Sequence, residues 1–91
     1  MDSVDKLSKM PNIGGTLEKK LMEAGINTPE DLKKEGSKEA FIKIKFIDNT
    51  ACYNMLCALE GAIQGVRWHS LSDDTKKDLK IFFSMENLKE R

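Results

Sequence analysis

Along this chain apolar residues recur every three or four positions, with polar residues filling the gaps. That spacing is the period of a helix that buries one face. Val4 and Leu7 open the pattern, with Ser3 placed to cap it, and Pro11 stops this first short helix because the residue before a proline disfavours the α region. Leu17, Leu21 and Ala24 share one face of a helix over 16–24, and Glu18, Lys19, Lys20 and Glu23 cover the remainder. Gly25 is suited to end that helix in the left-handed conformation, after which Ile26 turns back into the core. The clearest helix start is Asn27-Thr28-Pro29-Glu30-Asp31. Thr28 serves as N-cap, Pro29 takes the first helical position, and the two acids favour the positive end of the helix dipole. Gly36 ends this short helix, and Ser37 is expected to cap the next.

Residues 38–47 carry two periods at once. Ile42-Lys43-Ile44-Lys45-Phe46 alternates like a strand, yet no second strand candidate exists to pair with it, so the segment is read as a helix with most of its surface covered. Residues 50–64 give the strongest helical pattern, with Cys52, Leu56, Leu59 and Ile63 on one stripe widened by Met55, Ala58 and Ala62. Cys57, Gly61 and Gly65 repeat at four-residue intervals, a row of small residues that lets a neighbouring backbone come close. A glycine inside a helix costs roughly 1 kcal/mol against alanine, so a packing reason is expected at Gly61, while Gly65 is placed to serve as C-cap. Residues 66–71 form a connector in which Trp68 anchors the junction between the last two helices. Ser72 caps a final helix that opens on Asp73 and Asp74 and turns Leu79, Phe82 and Phe83 to the core. The whole is an all-α, compact bundle of five or six short helices in a single domain over residues 1–91.

Composition narrows the function classes. The 91 residues are 40% hydrophobic and 33% charged, as in an ordinary globular domain. Fifteen basic residues balance fifteen acidic ones, which argues against a strong non-specific polyanion binder but leaves room for a local basic face. Five lysines against two acids over residues 33–45 (Lys33, Lys34, Lys38, Lys43, Lys45) could build one together with Lys19 and Lys20. The alternative is an ordinary solvated surface. Cys52 and Cys57 point in different directions on a helix, and are read as two buried thiols of a cytoplasmic protein without a disulfide. With His69 as the only histidine, no metal site, cofactor site or catalytic constellation is expected, and the chain is read as non-enzymatic. No apolar run is long enough to span a bilayer, so no membrane partner is expected.

The run Leu7-Ser8-Lys9-Met10-Pro11-Asn12-Ile13-Gly14, followed by Glu18-Lys19-Lys20-Leu21 and Ala24-Gly25-Ile26, resembles the C-terminal domain of the TfoX (Sxy) DNA-transformation proteins. A second block, with Leu56, Ala58-Leu59-Glu60-Gly61-Ala62, Gly65, Trp68 and Leu71, is similar to the later part of the same domain, so the resemblance spans roughly residues 7–83. It implies a fold related to helix-hairpin-helix and SAM-like domains. It also implies a link to natural competence, in which such proteins act as positive regulators of DNA-uptake genes beside the cyclic-AMP receptor protein.

Residues 10–14 also resemble the apolar-Pro-Gly-Ile-Gly turn of helix-hairpin-helix DNA binders, with Asn12 in place of the first glycine. Backbone N–H groups at a helix start can hold a phosphate. On that reading the nucleic-acid-binding candidates are Asn12, Gly14, Gly15, Thr16, Lys19 and Lys20, and DNA is met through its backbone phosphates. The competing reading is a packed turn in a module that binds a regulator protein or self-associates, with the Cys57/Gly61/Gly65 row and residues 38–47 as a homodimer contact.

Overall fold

The computed structural model describes residues 6–89. A 3-10 turn, Leu7–Lys9, leads into α1 (Gly15–Glu23), α2 (Pro29–Glu35), α3 (Ser37–Ile47) and α4 (Tyr53–Gln64); a second 3-10 turn, Trp68–Ser70, precedes α5 (Asp73–Lys89). The fold is therefore all-α. The expected contribution of Ser3 and Val4 lies outside the described residues. No helix is long and apolar enough to cross a membrane among the described residues.

Most boundaries sit where local chemistry placed them. Thr28 Oγ1 accepts from the Asp31 amide at 3.0 Å, and the Asp31 carboxylate in turn accepts from the Asn27 amide at 3.1 Å. Ser72 Oγ accepts from the Thr75 amide at 3.1 Å at the start of α5. Gly25 and Gly65 both adopt positive φ, and the Ile26 amide reaches back to the Leu21 carbonyl at 2.8 Å to close α1.

α4 is the central helix: it packs on α2, α3, α5 and the second 3-10 turn. Leu56 and Leu59 of α4 meet Leu7, Leu21, Ile26, Leu32, Phe41, Ile44 and Leu79 in one buried cluster. α5 docks through aromatic contacts. Phe41 lies 6.5 Å from Phe82 and 5.9 Å from Phe83, Tyr53 lies 5.9 Å from Phe83, and the Tyr53 hydroxyl donates to the Lys76 carbonyl at 3.1 Å. Burial beside Cys57 pushes the Tyr53 phenol above its ordinary pKa.

Four expectations are corrected. Ser37 does not cap α3: it is the first helical residue, is buried, and donates to Glu60 Oε1 at 2.7 Å, while Gly36 takes the N-cap position at φ 87°. α4 begins at Tyr53 and not at residue 50, because Asp48 captures the Thr50 amide at 3.0 Å and holds the preceding residues in a turn. Cys52 consequently precedes the helix and is exposed, so only Cys57 is a buried thiol. Finally, α3 is not covered around its surface. Phe41 and Ile44 are buried, but Phe46 is 91% exposed and Ile47 49%.

Candidate nucleic-acid interface

The turn before α1 is built on one residue of unusual conformation and reach. Asn12 adopts φ 70°, which asparagine tolerates better than most residues, and the Ile13 amide closes the turn on the Met10 carbonyl at 3.3 Å. The Asn12 side chain points into the molecule. Its Nδ2 donates to the Val66 carbonyl at 2.9 Å and the Ala58 carbonyl at 3.4 Å, and its Oδ1 accepts from the Trp68 amide at 3.1 Å. One side chain thereby fastens the α1 turn to the end of α4 and to the second 3-10 turn, more than forty residues away.

That clasp supplies the packing reason for Gly61. A Cβ there would lie 2.5 Å from Asn12 Nδ2 and 2.8 Å from the Val66 carbonyl oxygen. The close approach that the small-residue row permits is thus made by this chain's own backbone. Trp68 is half-buried against the core, and its ring stacks on His69 with centroids 4.4 Å apart.

Beyond the turn, Gly14 is the N-cap of α1 and offers no side chain to it. The first helical hydrogen bond runs from the Glu18 amide to the Gly14 carbonyl at 2.9 Å, so the amides of Gly15, Thr16 and Leu17 have no partner among the described residues. Gly14, Gly15 and Thr16 are exposed, and nothing lies within 4 Å of where a Cβ at Gly14 or Gly15 would stand. Glu18, the acid of this first turn, accepts from the Ser8 amide at 3.2 Å.

The cations separate into two groups. Lys20 is ion-paired with Asp48, and that pair together with Thr50 holds the Asp48 carboxyl at about 2, well below its ordinary 3.8. Lys38 pairs with Asp78 at 2.7 Å, Lys43 with Glu35 at 2.9 Å, and Lys45 donates to Asn87 at 3.0 Å while lying over the rings of Phe41 and Phe83. The basic face expected from the middle segment is therefore largely spent on internal partners. Lys6, Lys9, Lys19, Lys33 and Arg67, in contrast, have no ion-pair partner among the described residues. Lys6, Lys9 and Lys33 rim a hollow of about 420 Å³ beside Met10 and Pro11. Arg67 is brought to the same turn by the Asn12 clasp, which grips the residues on either side of it.

Of the six candidates, the structure thus places Gly14, Gly15 and Thr16 at one open helix end, with Lys19 exposed about a turn further along α1. Asn12 holds that end in place with its side chain committed inward, and Lys20, in the last turn of α1, is committed to Asp48. Lys6, Lys9 and Arg67 were missed. The nearness of Lys6 and Lys9 to the Pro11-Asn12 turn was a readable signal; Arg67 joins only through a contact across more than fifty residues.

Comparison with known proteins agrees with this fold. The profile of the TfoX C-terminal domain matches residues 3–83. A crystal structure of an uncharacterized protein from Listeria monocytogenes, in a triclinic form, is 52% identical with a TM-score of 0.87, covering 89% of this chain and 93% of that one. A structure of a protein of unknown function from Listeria monocytogenes, in a tetragonal form, is 52% identical with a TM-score of 0.85, covering 87% of this chain and 96% of that one. No curated protein matches the chain.

Proposed function

The chain belongs to the TfoX C-terminal domain family, and from that premise we propose that it is a non-catalytic binding module that grips the phosphate backbone of nucleic acid at the open end of α1, in the service of competence regulation. The observation that carries this reading is that three helix-start amides of α1, and Lys19 on the same helix, have no hydrogen-bond or ion-pair partner among the described residues. Amides at a helix start suit a phosphate oxygen, and uncompensated lysines supply the salt-dependent part of the affinity. The balanced net charge of the chain is compatible with this, because Lys19 on α1 and Lys6, Lys9 and Arg67 near the turn have no ion-pair partner among the described residues. Contacts of this kind position a duplex without reading its sequence.

Fluorescence anisotropy with a labelled duplex at two ionic strengths tests the proposal. With about three phosphate contacts, affinity should fall by roughly tenfold to a hundredfold between ~50 and ~200 mM salt. Lys19→Glu combined with Lys9→Glu should abolish binding with the melting temperature unchanged, whereas Lys38→Glu should leave binding intact. A flat titration at low salt would exclude the proposal. Lys20→Glu is a poor probe, since it breaks the contact with Asp48 and loosens α1 itself. The second reading, a protein-interaction module, is favoured by a different observation: the bare aromatic ring at the end of α3.

A further inference from the structure

The hollow of about 420 Å³ beside the first 3-10 turn combines cations of one sign with carbon surface. Lys6 and Lys9 come to it from the two ends of that turn, and Lys33 from α2. All three are exposed and without an ion-pair partner among the described residues, and no acid lines the hollow. The elements that carry them are anchored, since Leu7, between the first two lysines, and Leu32, beside the third, are buried. Met10, Pro11, Pro29 and Ile63 are half-buried there and give the hollow its apolar part. Neither proline has an N–H to offer.

We propose that this hollow takes one unstacked nucleotide of a single-stranded nucleic acid, its base on the apolar part and its phosphates against the three lysines. The proposal rests on the reading of the chain as a nucleic-acid-binding module. Uncompensated cations call for an anion, and a phosphate alone would leave the apolar surface bare. A base has the flat face that covers such a surface. In a duplex both faces are stacked on neighbours, so an unpaired strand must deliver it. The volume lies in the range of small-ligand sites, roughly 300–1,000 Å³. The hollow is also continuous with the mouth of α1, its open N-terminal end. Pro11 lies three residues before Gly14, so their Cα atoms are at most about 11 Å apart and one strand can touch both. A backbone grip at α1 alone treats duplex and single strand alike, whereas an occupied hollow prefers the single strand.

Fluorescence anisotropy of the full chain at ~50 mM salt tests it with three probes of equal length: a labelled single strand, its duplex, and the same strand with its bases removed. The single strand should bind about tenfold more tightly than the duplex or the abasic strand, which keeps every phosphate. Lys33→Gln should weaken the single strand about fivefold and the duplex less than about twofold. Its melting temperature should not change, because Lys33 has no ion pair to lose. Equal affinity for single strand and duplex overturns the proposal and leaves the grip at α1 standing, whereas loss of all binding removes both. An abasic strand bound as tightly as the intact one also overturns it, since the lysines then hold phosphate alone. So does equal weakening of single strand and duplex by Lys33→Gln. A peptide of alternating glutamate and leucine held through Lys33, where no strand binds, gives the hollow to a protein and overturns it as well.

Discussion

α1 begins at Gly15 and α2 at Pro29, and the two helices start in opposite ways. α2 closes its own start: Thr28 accepts from the Asp31 amide, and Asp31 accepts from the Asn27 amide. α1 starts on two glycines, leaves three amides without a partner among the described residues, and the side chain of Asn12 before it is spent on the far side of the turn. A helix start that caps itself contributes to stability and to nothing outside the chain. A start held rigidly from behind and left open in front keeps its donors for a partner.

The comparison breaks most severely if the support behind α1 is removed. Gly61→Ala should destabilise the domain by about 2–3 kcal/mol despite the better helix propensity of alanine, because the new methyl group meets the Asn12 amide and the Val66 carbonyl. Chemical denaturation measures this, and an unchanged midpoint would show that the clasp is not rigid. Thr28→Ala should cost about 1 kcal/mol by the same measurement, with nucleic-acid binding untouched. The next effect is confined to acid solution. Asp48 has a carboxyl held at about 2 in the folded chain against an ordinary 3.8. Between these values the unfolded chain binds more protons, so stability rises with pH there. The contribution is complete above about pH 5 and lost as pH falls through about 2, and Asp48→Asn should flatten this part of a melting-temperature profile. The smallest effect on stability is the most informative. Gly14→Asp places a cap on the open amides, in extended backbone with free space around it. It should stabilise the chain by a few tenths of a kcal/mol while lowering DNA affinity at least tenfold. Parallel movement of the two quantities would mean that the α1 mouth is not the contact.

Much of the architecture was legible in the residues themselves. The Thr28-Pro29 start, the Gly25 and Gly65 stops and the Ser72 cap were read from spans of a few residues and stand in the structure. Residues 37–47 form a helix even though Ile42 to Phe46 alternates like a strand, because the described chain offers no strand for it to pair with. The misreadings have a common form. Ser37 looked like a cap and bonds Glu60, and Phe46 looked like core and stands in water.

Helix starts and stops depend on partners within about four residues, so one stretch of chain contains both halves of each hydrogen bond and the sequence alone determines them. The direction of the Asn12 side chain, the partner of Lys20 and the arrival of Arg67 beside the turn involve groups 28 to 56 residues apart. Such pairings are chosen when the helices pack, because packing decides which donors lose water and must find an acceptor within the fold. Tertiary structure alone therefore decided which cations remain free, which amides remain open, and which apolar face remains bare.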